Sequence, residues 1–562
     1  MAARHPWDGG SGVRILGINA IFHDPAAALV IDGQIVAAAE EERFNRRKHG
    51  KRPVPFSAWE LPELSARWCL ETAGINPEDL DAVAYSYDPA LVQPGLGGLD
   101  ERWEDLRTTY ARRAPHFLAT ALPGLDPAAV QFVPHHVAHA ASAGLAAPFR
   151  DSAVLVADGR GESISYLGGR YRDGELEVLA SQQLPHSLGL MYEEVTEHLG
   201  FLRSSDEYKV MALASYGRLS AAEPRLLPDL RALVRATGDG GFVVRPIDWS
   251  ELAKRRLPGE VLEPQHVELA AAVQARLEEV LLELAAWLHR RTGERRLTMA
   301  GGVALNCVAN TRLAAEGPFD ELWVQPAAGD AGTALGGALH LAQVFGEPAA
   351  PMPSADLGRS FTDDELAIWL DSAHIRYERP PDVATAVAEA LAADAIVAWF
   401  QGRSEFGPRA LGHRSLLAHP GHAGNLDRLN AVKGREQFRP IAPMVLTERA
   451  GELFTRGPIP SPYMLFVHDV VPHWRERIPA VVHVDGTARI QTVDRDTEPL
   501  LARLLERFAE LTGLPTVVNT SLNTAGRPMV DDPRDALECF GSAPIDVLAL
   551  GPFLLRRCEL TR

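Results

Sequence analysis

Between Arg14 and Glu40, apolar residues fall in three short blocks split by polar punctuation. Ile15–Asn19 and Ala26–Ile31 read as strands, with a polar turn at His23 and Asp24 between them. A turn at Asp32-Gly33 leads into a third strand. Short β-prone blocks bounded by Asp, Gly and Pro are what tightly joined strands require. Further on the period changes. A helix is expected over 58–74, a strand over 79–87, and a Pro-, Gly- and Arg-rich insertion with helical pieces over 88–128. Residues 220–265 show no regular period and read as irregular and peripheral. From Gln265 to Thr292, Leu269, Val273, Leu277, Val280 and Leu284 recur at helical spacing, so one face of a long helix should be buried. It feeds the strand-like RLTMA, and Gly301-Gly302 then open a turn into a helix beginning near Asn306. Residues 346–358 are rich in Pro and Ala and read as a linker. Beyond it, a helix over 381–392 and a strand over 395–402 begin a second unit. The expected organisation is an α/β protein with a disordered tail at 1–13, a domain at 14–346, a linker at 347–358 and a second domain at 359–562.

Three tightly joined strands at the start of a large α/β chain point to an actin-like ATPase core, in which the first hairpin approaches nucleotide phosphates. Topology alone carries that only weakly. The strand–Gly-Gly–helix junction lets backbone approach a nucleotide, with helix amides facing it. The later GDAGTALGGA run (329–338) strengthens the pattern.

The chemistry centres on QFVPHHVAHAASAG (131–144). His135 and His139 are four apart, so a helix stacks them one turn above each other, with Cβ atoms about 5–6 Å apart. Two imidazoles so placed can share one metal ion; equally, such a helix can bury one histidine and leave the other in water. Two later glycine-rich turns, at DGRGE (158–162) and AAGDAG (327–332), each offer an Asp.

Composition narrows the classes. The net charge of −18 counts against a sequence-independent nucleic-acid binder, and no apolar run reaches the length of a membrane span. The start lacks a hydrophobic signal core, and the four cysteines form no CxxC pair, which fits free thiols and a cytoplasmic location. Against this acidity, the second unit gathers Arg403, Arg409, Arg414, Lys433, Arg435, Arg439, Arg489 and Arg527. Arginine forks match phosphate oxygens bidentately, so the cluster reads as a site for polyanions rather than as scattered surface pairs. Lysine occurs only at 48, 51, 209, 254 and 433, and Lys48, Lys209 and Lys433 each lie inside a motif. The charged EEERFNRRKHGKR stretch (40–52) reads mostly as a solvated loop.

Taken in order, FHDPAAALV, EEERF–RRKHG, HHVAHAASA, DGRGE, AGGVALN, GDAGTALGGA, GPRALGHRSLL, FRPIAPMVL and NTSLN resemble the O-carbamoyltransferases of antibiotic tailoring and nodulation-factor synthesis, over about 14–553. The resemblance implies a duplicated actin-like N-terminal domain, similar to the tRNA-threonylcarbamoylation ATPase, fused to an α/β carbamoyladenylate-forming domain. It implies that ATP, with Mg2+, and carbamoyl phosphate form carbamoyl-adenylate, whose carbamoyl group passes to a substrate hydroxyl as AMP leaves. It carries metal ligands onto His135, His139, Asp158 and Asp330, with iron(II) as the metal. It places Gly159, Lys209, Gly301, Gly302, Asn306 and Gly329 around a nucleotide, with Lys209 as a phosphate contact. His23 becomes the base that takes the acceptor's proton, and Lys48 adds positive charge near the transferred group. Arg403, Arg409, Lys433, Arg435, Arg439, Arg489, Asn519 and Asn523 are assigned to carbamoyl phosphate and ATP in the second domain. The loop after NTSLN departs from the family pattern, and Arg527 stands in for the arginine expected there. His136 is expected to support the metal centre or the fold.

Three other readings remain in view. An actin-like sugar kinase or phosphotransferase explains the glycine loops but neither the histidine pair nor the cationic second half. A tRNA-modifying enzyme fits poorly with the acidity and the fused architecture. A non-catalytic nucleotide- and metal-binding module predicts ATP binding without AMP formation. A hydrogenase-maturation carbamoyltransferase is excluded by the lack of CxxC pairs and of an acylphosphatase domain. The acceptor, a small hydroxylated molecule such as an aminoglycoside or a macrolide-type polyketide, is not legible, and a homodimer stays open.

Overall fold

The structure, a computed structural model, describes residues 12–50, 60–93, 95, 101–219 and 222–557. The expected tail up to residue 11, Lys51 and the first two residues of the helix expected over 58–74 lie outside the described residues. The chain divides into two compact units, 1–354 and 355–562.

The first unit is built on a repeated sheet. Strands β1 (Arg14–Asn19), β2 (Ala26–Ile31) and β3 (Gln34–Glu40) form an antiparallel meander, and β4 (Ala82–Tyr85) and β5 (Val130–Phe132) extend it in parallel from β1, in the order 3-2-1-4-5. The same plan recurs with β6 (Ser152–Ala157), β7 (Ile164–Arg172) and β8 (Glu175–Gln183) as the meander. A small hairpin of β9 (Val234–Ala236) and β10 (Phe242–Val244) intervenes. Strands β11 (Arg296–Ala300) and β12 (Glu321–Val324) then add in parallel beside β6, giving the order 12-11-6-7-8. Two five-stranded sheets of identical connectivity are the duplicated α/β core of an actin-like protein. Every residue of β2 and β6 is buried, and β1 is buried apart from Arg14, as strands covered on both faces must be.

Between the two sheets the helices Ala331–Val344 and His135–Gly144 pass in near-backbone contact. A Cβ added at Gly336 would lie 1.8 Å from the Ala138 carbonyl oxygen, and one at Gly17 would lie 1.8 Å from that of Ala334. These obstacles are main chain, so no rotamer change relieves them. Gly336→Ala should therefore destabilise this unit by about 3 kcal/mol or more, read as a drop in its unfolding midpoint. A midpoint within 1–2 °C of the parent, where about 1 kcal/mol shifts it by roughly 2–4 °C, would refute the close approach.

Several expectations need correcting. The charged 40–52 stretch is not a solvated loop throughout, because Glu40, Glu41 and Arg43 are buried. Glu41 takes hydrogen bonds from the amides of Leu64 (3.1 Å) and Ser65 (2.8 Å) and from the Ser65 hydroxyl (2.9 Å), tying β3 to the helix Glu63–Ala73. The region read as irregular holds the β9–β10 hairpin and two short helices, whereas the 88–128 insertion has, among its described residues, the helix Glu101–Ala121 where helical pieces were expected. The β7–β8 hairpin had no expectation in the sequence. Its outer strand is largely exposed, so the apolar period there is weak.

Burial raises the Glu41 carboxyl to about 6 against those amide bonds. The folded state holds this proton more tightly than the unfolded chain. The resulting stabilisation is complete below about pH 4.5 and is lost as pH rises through about 6. Amide-exchange protection of the Glu63–Ala73 helix should fall across that window, and Glu41→Gln should flatten the fall. An unchanged slope in the variant would contradict the assignment.

The second unit carries a seven-stranded mixed sheet. In chain order its strands are β13 (Val397–Phe400), β14 (Arg414–Ala418) and β15 (Ala442–Leu446), a small separate sheet of β16 (Phe454–Thr455), β17 (His468–Val470) and β18 (Thr487–Ala488), and then β19 (Gln491–Val493), β20 (Thr516–Ser521), β21 (Val547–Leu550) and β22 (Phe553–Arg556). The large sheet runs 19-15-20-14-13-21-22 around a core that includes Trp399, Phe508 and Phe540. Among the described residues, no helix is long and apolar enough to cross a membrane, and Cys69, Cys307 and Cys539 are buried and outside any disulfide.

Candidate metal centre and its surroundings

Strand β5 ends at Phe132, and two residues on, Pro134, which cannot donate a main-chain hydrogen bond, leads directly into the helix His135–Gly144. That start aims His135 and His139 between the two sheets. Asp158 follows the last residue of β6, and Asp330 immediately precedes the helix Ala331–Val344. All four side chains are buried. Nε2 of His135 lies 3.6 Å from Asp158 Oδ2 and 3.6 Å from Asp330 Oδ1; Nε2 of His139 lies 3.8 Å and 3.6 Å from the same atoms.

These separations are too long for hydrogen bonds, and neither Nε2 has a hydrogen-bond partner. Donors about 2.1 Å from one ion in tetrahedral array sit about 3.4 Å apart, close to what is seen. The other nitrogen of His135 is committed: Nδ1–H donates to the Ser86 carbonyl at 3.1 Å, which leaves Nε2 as the lone-pair donor. The Gly302 amide donates to Asp158 Oδ1 at 2.8 Å, leaving Oδ2 toward the histidines. Two orphaned imidazole nitrogens facing two carboxylates fit a divalent metal ion.

The electrostatics point the same way. Burial alone would push the His135 imidazole down, yet Asp158 and Asp330 hold it well above its usual range. Burial opposes ionisation of Asp330, but His23, His135 and His139 draw its carboxyl down to about 2. Asp158 is likewise held ionised by His135 and His139 against its burial. Burial and the His135 charge depress the His136 imidazole to about 3, which the Asp158 charge offsets only in part. The centre is thus a buried pair of carboxylates that demands a cation.

His23 stands beside it, with Nε2 3.9 Å from Asp330 Oδ2. Its Nδ1 meets Asp24 Oδ2 at 2.8 Å, and Asp24 Oδ1 meets His49 Nδ1 at 2.8 Å. His49 Nε2 lies 3.0 Å from the Ser205 hydroxyl. Phe22, Asp24 and His49 all have left-handed backbone, with φ of 55°, 52° and 60°. Side-chain residues rarely adopt that region, and strain of this kind is held where geometry is over-determined. Here the Asn19 amide clamps the carbonyls of His23 and Asp24 at 2.9 and 2.8 Å. Asp24, read from the sequence only as a turn residue, and His49, Ser205 and Glu162, which accepts the His135 amide at 2.8 Å, were given no role in the site by the sequence reading. Only the FHD and RRKHG motifs could have pointed to the first two.

The expected nucleotide residues divide. The Gly301 amide reaches the Ala328 carbonyl at 2.8 Å, so the Gly301-Gly302 turn and the Gly329 loop are neighbours beside the centre. Gly159 receives the Ser187 hydroxyl on its carbonyl at 2.7 Å. Asn306 is spent on the fold: it caps Ala309 at 3.0 Å and exchanges hydrogen bonds with Gln274. Lys209 pairs with Asp206 at 3.0 Å, over the Phe201 ring. Lys48 is exposed, in the short turn that carries His49.

In the second unit, Lys433 Nζ donates to the Ser521 carbonyl and hydroxyl, at 2.5 and 2.8 Å, and to Asn523 Oδ1. Arg435 bonds Asn430, Arg439 lies 3.8 Å from Glu436, and Arg403 holds the Gly358 carbonyl at 3.0 Å. Arg409 and Arg489 are half-buried on loops of the same unit. Three cluster members do other work. Arg414 is fully buried and binds the carbonyls of Gln401, Arg359 and Asp531. Asn519 is buried within β20 on Ala410 and Gln491, and Arg527 is exposed and paired with Glu538 at 3.1 Å.

Residues 14–121 and 120–339 match the family described as carbamoyltransferase N-terminus, and residues 388–557 match carbamoyltransferase C-terminus. The nodulation protein NolNO of Sinorhizobium fredii is 39% identical, over 96% of this chain and 80% of its own. The uncharacterised protein sll1178 of Synechocystis is 36% identical over 97% and 96%. Among solved structures, component A of (R)-2-hydroxyglutaryl-CoA dehydratase from Acidaminococcus fermentans aligns with 58% of the chain and 97% of its own, at 15% identity and a TM-score of 0.34. Full-length HypF, in its phosphate- and nucleotide-bound form, aligns with 60% and 56% at 14% identity and a TM-score of 0.31.

Proposed function

This chain belongs to the carbamoyltransferase family, and from that premise we propose that it moves the carbamoyl group of carbamoyl phosphate, through carbamoyl-adenylate, to a hydroxyl of a small secondary-metabolite acceptor in the cytoplasm. The observation that carries this reading is the buried centre of His135, His139, Asp158 and Asp330 with His23 at its edge. Carbamate is a poor electrophile, so it needs activation by a good leaving group, here AMP from ATP and its Mg2+. His135, His139, Asp158 and Asp330 are the residues to hold a divalent metal, iron(II) in this reading. Bound there, the ion supplies Lewis acidity to polarise the carbamoyl carbonyl.

The chain's own residues account for the rest. Asp24 accepts the Nδ1 proton of His23, leaving Nε2 as the basic nitrogen to take the acceptor's hydroxyl proton. The Gly301-Gly302 turn and the Gly329 loop offer main chain, without side chains, against which the adenylate rests. In the second unit Lys433, Asn523, Arg435 and Arg439, with Arg403, Arg409 and Arg489, supply positive charge and donors for the phosphates of carbamoyl phosphate and ATP.

The test is a mass-spectrometric assay with ATP, carbamoyl phosphate and a panel of hydroxylated natural products. AMP formation that requires carbamoyl phosphate, with a product about 43 mass units heavier for one carbamoyl in place of one hydrogen, is expected of this acyl transfer. ADP in place of AMP, or turnover indifferent to carbamoyl phosphate, would reject it in favour of a phosphotransferase.

A further inference from the structure

We infer that the second unit carries its own divalent-cation site, formed by Asp356, His413 and Glu498, suited to a first-row metal such as Mn2+. The three residues come from separate stretches: the segment before Gly358, the end of the β13–β14 connection, and the residue before the helix Pro499–Thr512. Their donor atoms lie within 4.8 Å of one another.

The argument begins with His413. Its side chain is nine-tenths buried, and among the described residues its Nδ1 has no hydrogen-bond partner. Nε2 instead faces Glu498 Oε1 at 3.6 Å and Asp356 Oδ2 at 3.9 Å. A histidine that merely hydrogen-bonds a carboxylate closes to contact, as His23 and His49 do on Asp24 at 2.8 Å in this chain. The spacing at His413 resembles instead the 3.6–3.8 Å spread of the His/Asp centre, where the gap is that of donors around an ion.

A second observation is independent of the histidine. Glu405 is buried; its Oε1 takes the amides of Leu411 (2.7 Å), His413 (3.0 Å) and Arg414 (3.2 Å), while its buried Oε2 has no hydrogen-bond partner. Burial raises the Glu498 carboxyl, and although His413 works against this, the charges of Asp356 and Glu405 add to it. Three carboxylates therefore gather here. The ion pairs seen for Asp356 and Glu498 are both to the His413 imidazole. Glu498 also forgoes the role its position offers, for it makes no side-chain cap on the helix it precedes. One imidazole with hard carboxylate donors suits Mn2+, Fe2+ or Zn2+ rather than a soft ion. Asp356 and Glu498 stay 26% and 27% exposed, which leaves coordination positions open to water or an anion.

The test is Mn2+ titration of the full chain by electron paramagnetic resonance, in an Asp330→Asn background that disables the His/Asp centre. That variant should still bind one equivalent of Mn2+, and adding Glu498→Gln or His413→Ala should weaken the binding at least tenfold. Glu498→Gln is isosteric and partly exposed, so it keeps the fold; circular dichroism verifies this. Asp330→Asn protein that binds no Mn2+, or a double variant that binds it as tightly as Asp330→Asn alone, overturns the site. Absence of carbamoyl transfer in the parent protein, with the Mn2+ titration of Asp330→Asn as expected, would bear on the proposed function only.

Discussion

Asp330→Asn should empty the His/Asp centre and lower carbamoyl transfer by more than about 100-fold, since loss of a mere outer-shell partner already costs about 10–100-fold in metal affinity or activity. Asp330 shares its Oδ1 between His135 and His139 at 3.6 Å and lies beside His23 through Oδ2. An amide there is neutral and a weaker donor, so one negative charge of two is removed from a buried site. The substitution spares the fold, because Asp330 makes no side-chain cap on the helix that follows. The Thr333 hydroxyl donates to the Asp330 main-chain carbonyl, at 2.7 Å, a contact that the substitution leaves in place. Metal content by elemental analysis is the direct readout, and it does not depend on turnover. Retention of a full equivalent of metal in an Asp330→Asn, Glu498→Gln double variant would remove the four-residue centre from consideration.

The second large effect is expected at Lys433. Its ammonium gathers the Ser521 hydroxyl, the Ser521 carbonyl and Asn523 at one point of the second unit. Lys433→Met keeps the stem's volume and removes the charge. Carbamoyl-phosphate-dependent AMP formation should fall by about 10²–10³-fold, the usual cost of losing one preorganised donor to a developing anion. Lys433→Arg should not restore it, because a planar fork cannot replace a compact point charge with three rotatable donors. Metal at the His/Asp centre should stay at the parent level, which separates the two units' tasks. AMP formation within threefold of the parent would show that Lys433 serves only to hold the loop.

Some of this protein was readable along one dimension. The first three strands, the long helix ending at Thr292 and the β11 strand follow from local period and turn chemistry, which neighbours in sequence determine. The i,i+4 placement of His135 and His139 is a property of the helix itself, although that both are buried was left open. The membership of a family was carried by the order of motifs along the chain.

What the sequence left open depended on which segments meet. Asp158 and Asp330 joined the histidines in the sequence reading only through the resemblance; they are separated from them along the chain, and the duplicated sheets bring all four to one point. Asp24 and His49 looked like turn and surface residues; a strained backbone and the Asn19 clamp make them a linked pair. The buried Glu41 and Arg43 hid in a charged run, because composition records charge but not which side chains find a partner in the interior. The arginine cluster shows the same limit. Arg414, Asn519 and Arg527 share a stretch of chain with Lys433, yet they are divided among core carbonyls, a buried strand and solvent. Local pattern fixed the elements and the helical histidine pair, because those forces act within a few residues. Burial, carboxylate pairing and the assembly of both cation-demanding clusters were decided by tertiary structure, because desolvation and charge act through space.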